Sequence, residues 1–139
     1  MKRIIPALVS AAVLLLASQN LSAQEPTEPN LDEIINSQVE NLAKLYKLDD
    51  VQMFYIDSIL QYNMRAMMDE IEKARQTGAS NASTYEVISD KWLSASDRAF
   101  ERVFTEDQWK RYMKSSFGKE KKKRDKRISE REAAQKIGQ

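Results

Sequence analysis

From Met53 the apolar positions of this chain step by three and four: Met53, Ile56, Leu60, Met64, Met67, Ile71 and Ala74. That spacing holds one stripe of a 3.6-residue helix. It predicts a helix opened by "LDDVQ" and ended near Gln76, where Gly78 offers a left-handed stop. Upstream, Leu31, Ile35, Leu42 and Tyr46 mark a first helix ending near Lys47, with Asn30 as its cap and Glu33 as capping-box partner. Downstream, "GASNASTYE" is the clear loop, and Ser83 with Glu86 has capping-box spacing. A third helix then places Tyr85, Ile88, Trp92, Ala95, Ala99 and Val103 on one face with Phe100 beside them. "FTEDQ" opens a fourth, carrying Trp109, Tyr112, Met113 and Phe117, with an interruption expected at Gly118. No stretch alternates with a period of two. The expected fold is all-α: about four helices in an extended or cradle-like helical hairpin arrangement, followed by a charged C-terminal tail.

The second helix has more apolar surface than one stripe needs. Val51, Tyr55, Ile59 and Tyr62 lie on a nearly opposite face. Two apolar faces require two things to pack against. Both can be internal, or one can meet a second subunit or an unfolded client. Met53, Met64, Met67 and Met68 suit an adaptable surface, because methionine re-packs at low cost. Methionine at helical spacing is nonetheless more often core.

Two pentapeptides share a grammar: Leu48–Gln52, "LDDVQ", and Phe104–Gln108, "FTEDQ". In each, a cap residue (Asp49, Thr105) can accept the amide three positions on, while the glutamine (Gln52, Gln108) reaches back to the cap's own amide. Leu48 with Met53, and Phe104 with Trp109, are placed as hydrophobic staples. Asp50, Glu106 and Asp107 sit where carboxylates favour the positive end of the helix dipole. On physics alone the motifs are helix starts, worth ~1 kcal/mol each as caps.

The same residues carry a resemblance. Paired "L-T-x-x-Q"-like motifs in a small, all-helical chain with an export signal resemble the Spy/CpxP family of periplasmic stress proteins. Leu48 and Gln52 match in one copy, Thr105 and Gln108 in the other, with Asp49 and Phe104 as departures compatible with capping. The resemblance covers roughly residues 31–127. It implies an intertwined, cradle-shaped homodimer whose paired motifs open helices, with a basic concave face for clients.

Composition changes the picture at both ends. Lys2 and Arg3 precede an apolar run from Ile4 to Ala17, then "SQN" and "LSA". This is the order of a secretory signal, with cleavage expected after Ala23, and the run is shorter than the ~20 residues a spanning helix needs. The domain reading is therefore a signal peptide over 1–23, a disordered Pro-rich lead over 24–30, a helical domain over 31–118 and a basic tail over 119–139. Residues 24–118 hold 11 Lys/Arg against 17 Asp/Glu, a net of −6; residues 119–139 hold 9 against 4, a net of +5. The tail has only Ile128 and Ile137 as large apolar residues, so it is expected as a solvated helix or a disordered segment with no face to bury. Its residues Lys119, Lys121, Lys122, Lys123, Arg124, Lys126 and Arg127 are candidates for contact with polyanions. Nucleic acid is disfavoured because no aromatic residues are interleaved for stacking.

The chain has no Cys and no His. Thiol nucleophiles, imidazole acid–base chemistry, disulfides and zinc sites with N/S ligands are therefore excluded. No calcium-loop or phosphate-loop motif occurs. The expectation is a non-enzyme without cofactor or metal, exported to the periplasm. It would act as an ATP-independent holdase for unfolded envelope proteins, as a homodimer with weak membrane-surface contact through the tail. The alternatives are a stress adaptor docking on a sensor protein and, more weakly, a metal-responsive protein.

Overall fold

The computed structural model describes residues 30–138, and these are all-helical. The expected signal peptide and all of the lead except Asn30 lie outside the described residues. Five helices follow in order: α1 Leu31–Tyr46, α2 Asp50–Gln76, α3 Ala82–Val103, α4 Glu106–Lys114 and α5 Ser116–Ile137.

α1 ends through Lys47, which takes the left-handed conformation at φ 53°. The Leu48 amide then reaches back to the Ala43 carbonyl at 3.1 Å, satisfying a carbonyl that the helix itself cannot. α2 ends at Thr77 and Gly78 (φ 75°), as the sequence indicated. α3 begins one residue before Ser83, so the expected Ser83–Glu86 box does not form. Asn81 is the cap instead, accepting the Thr84 amide at 2.9 Å. Its side-chain carbonyl oxygen reaches the third helical amide without a box partner.

The interruption expected at Gly118 falls three residues earlier. Ser115 is extended (φ −79°, ψ 179°) and separates α4 from α5, which turns one expected helix into two. Its hydroxyl donates to the Tyr112 carbonyl at 2.6 Å and accepts from the Tyr46 hydroxyl at 3.0 Å. Gly118 lies inside α5 and is buried. A Cβ there would stand 2.2 Å from the Met113 carbonyl oxygen, so glycine is required by close backbone approach.

The apolar core gathers one face each of α1, α2 and α4 with the C-terminal end of α3. It is built from Ile35, Val39, Leu42, Tyr46, Ile56, Leu60, Phe100, Phe104 and Tyr112. Tyr112 stacks between Trp109 (5.0 Å between ring centroids) and Phe117 (5.6 Å). The Phe104–Trp109 staple is present as an edge-on pair at 6.3 Å. Further along, α2 and α3 pair through polar rungs. Asn63 Nδ2 donates to Ser96 Oγ at 3.0 Å, and Glu70 receives Trp92 Nε1 at 2.7 Å and Lys91 Nζ at 2.8 Å. Those two donors hold the Glu70 carboxyl below the usual glutamate range.

The expectation for the tail needs correction. α5 runs continuously through the expected boundary at 118, and it does have a face to bury. That face is made of arginine rather than apolar residues. Arg124 is buried against Asp97, and Arg127 and Arg131 reach Asp90.

Candidate functional site

Both expected capping boxes form. Asp49 Oδ1 accepts the Gln52 amide at 2.7 Å while Gln52 Oε1 accepts the Asp49 amide at 3.1 Å. Thr105 Oγ1 accepts the Gln108 amide at 3.3 Å while Gln108 Oε1 accepts the Thr105 amide at 2.8 Å. This much is local grammar. Each cap turns its glutamine's oxygen toward a backbone donor, so each NH₂ group must find acceptors elsewhere.

Those acceptors bring the two motifs together. Gln52 Nε2 donates to Gln108 Oε1 at 2.7 Å, and Gln108 Nε2 donates back to Gln52 Oε1 at 3.2 Å. Gln52 Nε2 also donates to the Val103 carbonyl at 3.0 Å, at the end of α3. Gln108 Nε2 also donates to the Tyr46 carbonyl at 3.1 Å, at the end of α1. Each glutamine therefore opens its own helix and closes another. Arg111 adds donors to the same end of α1, reaching the Tyr46 carbonyl at 3.1 Å. A cation there also favours the negative end of the helix dipole. Leu48, Phe104 and Trp109 wrap this node in apolar surface. Four helix ends thus meet at one hydrogen-bonded clasp, with the two motifs in the same place rather than at separate helix starts.

A second network joins α3 to α5. Tyr112 Oη donates to Asp97 Oδ1 at 2.8 Å, and Arg124 Nη2 donates to Asp97 Oδ2. Burial, followed by the adjoining Asp97 charge, pushes the Tyr112 phenol well above its usual range. Arg127 grips Asp90 with two bonds, Nε–Oδ2 at 3.0 Å and Nη2–Oδ1 at 2.6 Å, and Arg131 adds a third at 2.6 Å. Burial pushes the Asp90 carboxyl up, but the hydrogen bonds from Arg127 and Arg131 outweigh it and hold the carboxyl below its usual range. The same pairing raises Arg127.

This geometry divides the seven candidate polyanion-binding residues. Arg124 and Arg127 are committed to internal aspartates and are not presented to a ligand. Lys121 is largely covered and pairs with Asp125 at 2.5 Å. Lys119, Lys122, Lys123 and Lys126 are exposed, with Lys123 paired to Glu120 at 2.8 Å.

The outer face of α2 is divided in the same way. Ile59 and Met64 are partly buried against the core, and Met67 is half-buried, while Met68 is exposed. Val51, Tyr55 and Tyr62 stand in solvent at 64, 52 and 70% exposure. Sequence reasoning missed Phe54, which fits neither stripe yet is 68% exposed and meets Tyr55 edge-on at 5.8 Å between ring centroids. The signal that could have found it is an aromatic residue between two helical stripes, with no buried neighbour assigned to it. Tyr62 meets Trp92 edge-on at 6.3 Å. Between them, Tyr55, Ile59 and Tyr62 of α2 and Ala95 and Ala99 of α3 line a shallow groove of about 370 Å³.

No protein-family model, curated protein or solved structure matches this chain. Among the described residues, no group of three or more carboxylates is placed to hold a metal ion, and no helix is long and apolar enough to cross a membrane.

Proposed function

We propose that this protein is a holdase-type binder of unfolded polypeptide, acting without ATP, and that the exposed face of α2 is its client surface. The observation that carries the proposal is the run of large apolar side chains left in solvent over Val51, Phe54, Tyr55 and Tyr62. These residues span about three turns, or ~16 Å, of a rigid helix. A cluster of this kind on an otherwise charged surface is what an interaction site looks like, since single exposed apolar residues need no explanation and contiguous ones do.

Its composition suits unfolded clients. Aromatic rings offer large apolar area while ordering few torsions, and the tyrosine hydroxyls can bond to an exposed backbone. Met68, exposed further along α2, is adaptable in the way a promiscuous surface requires. The clasp behind it keeps α2 in place, and so serves the surface without touching a client.

The resemblance to the Spy/CpxP family supports the same proposal, together with export to the periplasm and assembly as a homodimer. In this chain the capping glutamines carry that resemblance, and their meeting at one node gives the paired motifs a shared structural purpose. Residues 24–118 are net acidic, so a basic client-binding face is not part of the proposal. A holdase predicts many weak clients, whereas an adaptor predicts one saturable partner at fixed stoichiometry. Titration of the protein against a set of unrelated unfolded polypeptides, read by fluorescence anisotropy, distinguishes the two. Comparable affinity across the set supports the holdase, and binding to none of them ends it.

A further inference from the structure

The basic segment is sorted by residue type. Its arginines Arg124, Arg127 and Arg131 turn inward to the aspartates of α3, and its lysines other than Lys121 stay outside. Lys119, Lys122 and Lys126 follow one another at spacings of three and four, which places them on a single edge of α5. All three are exposed. Among the described residues, no ion pair involves Lys119 or Lys122, and Lys126 has only a 3.8 Å contact with Glu130. Ile137, five helical turns beyond Lys119 and therefore on the same edge, is 87% exposed.

We propose that this lysine edge is a docking surface for an anionic lipid bilayer. The chemistry of the edge selects that partner. Lysine presents a compact charge on a flexible stem and tolerates a fluid array of headgroups, whereas a discrete phosphate or carboxylate site would use the planar fork of arginine. Here every arginine of the segment is spent on internal pairing. The edge is convex, as one side of a single helix must be, and it offers no aromatic residue on which a base could stack. It also lacks the apolar anchors that a folded protein partner would bury at the centre of an interface. What remains is a row of three cations, with Glu130 and then one isoleucine further along the same edge, an arrangement suited to resting on a charged surface without inserting into it. The α2 client face is on a different helix, so this inference does not depend on the proposed holdase activity.

The test is co-sedimentation of the full chain with phosphatidylcholine vesicles, with and without phosphatidylglycerol, at low and high salt. Vesicles of phosphatidylcholine alone report any binding through the apolar N-terminal run. The expected result is preferential binding to the anionic vesicles, weakening as salt rises. A Lys119→Gln, Lys122→Gln, Lys126→Gln variant is expected to lose about a hundredfold of that affinity, with an unchanged melting temperature. A control variant with the same change in net charge, Lys44→Gln, Lys73→Gln, Lys110→Gln, is expected to bind as the parent does. Equal binding to both vesicle types overturns the proposal. So does equal loss in the two variants, or stronger capture by an acidic protein or by RNA than by anionic vesicles.

Discussion

Gln52 and Gln108 exchange side-chain amide hydrogen bonds, at 2.7 and 3.2 Å, across 56 positions of sequence. Each also completes a capping box and supplies a donor to the end of a second helix. Gln108 is the more buried of the two and serves α1, so Gln108→Ala should cost about 2–4 kcal/mol and Gln52→Ala about 1–3 kcal/mol. Because they share a bond, the double variant should cost less than the sum of the singles by about 1 kcal/mol or more. Urea unfolding of the four proteins in the cycle measures this. Strict additivity would mean that the two motifs are independent caps.

Asp97 ties Tyr112 and Arg124 to α3 in a buried site. Asp97→Ala leaves the Arg124 charge buried without its partner, and should destabilise by about 3–5 kcal/mol. Asp90 is the corresponding anchor further along α5. Asp90→Ala should free Arg127 and Arg131 and speed amide exchange in α5 beyond residue 124, while the core at Ile35, Leu42 and Ile56 stays protected. Hydrogen-exchange mass spectrometry distinguishes this local release from global loss.

Two backbone positions should respond in opposite directions. Gly118→Ala sets a methyl group against the Met113 carbonyl and should cost about 1–3 kcal/mol. Lys47 holds a left-handed conformation that glycine adopts without penalty, so Lys47→Gly should be neutral or stabilise by up to about 1 kcal/mol. Thermal melts of the two single variants test the pair.

The pH dependence follows from Asp90 and Tyr112. The folded state holds the Asp90 carboxyl lowered, so its stabilisation is present above the unfolded aspartate value near ~4 and is lost as pH falls through the lower folded value. The folded state raises the Tyr112 phenol, so that contribution is present below ~10 and lost as pH rises beyond it. Stability from these two groups should be flat between the limits. Asp90→Asn should shrink the acid limb in denaturation curves taken across pH, and Tyr112→Phe the alkaline one.

The helices and both capping boxes were legible because their signals are local: a periodic stripe, or a cap with its partner three residues away. The meeting of Gln52 and Gln108 was not, since nothing in either pentapeptide says that the amide left over from one box will find the other. The docking of α5 was missed for a different reason. Apolar periodicity marks a buried face only where that face is apolar, and this one is ionic. Yet a signal existed. Asp90 and Asp97 are seven apart, as are Arg124 and Arg131, which is the match that two antiparallel helices need. Asn81 displaced Ser83 as a cap because two adjacent segments of the same loop offered competing starts. The face of α2 was half legible: Val51, Tyr55 and Tyr62 are exposed, Ile59 and Met64 are partly covered, and Phe54 escaped because it belongs to neither stripe.

The most direct measurement is light scattering from a chemically unfolded client diluted into buffer, with the parent protein or with a Phe54→Ser, Tyr55→Ser, Tyr62→Ser variant. These side chains are exposed, so the variant should keep the parent's melting temperature within a few degrees. The account predicts that the parent suppresses aggregation at equimolar concentration and that the variant does not. A parent that leaves the scattering unchanged at equimolar or higher concentration, or a variant that protects as well as the parent, would contradict it.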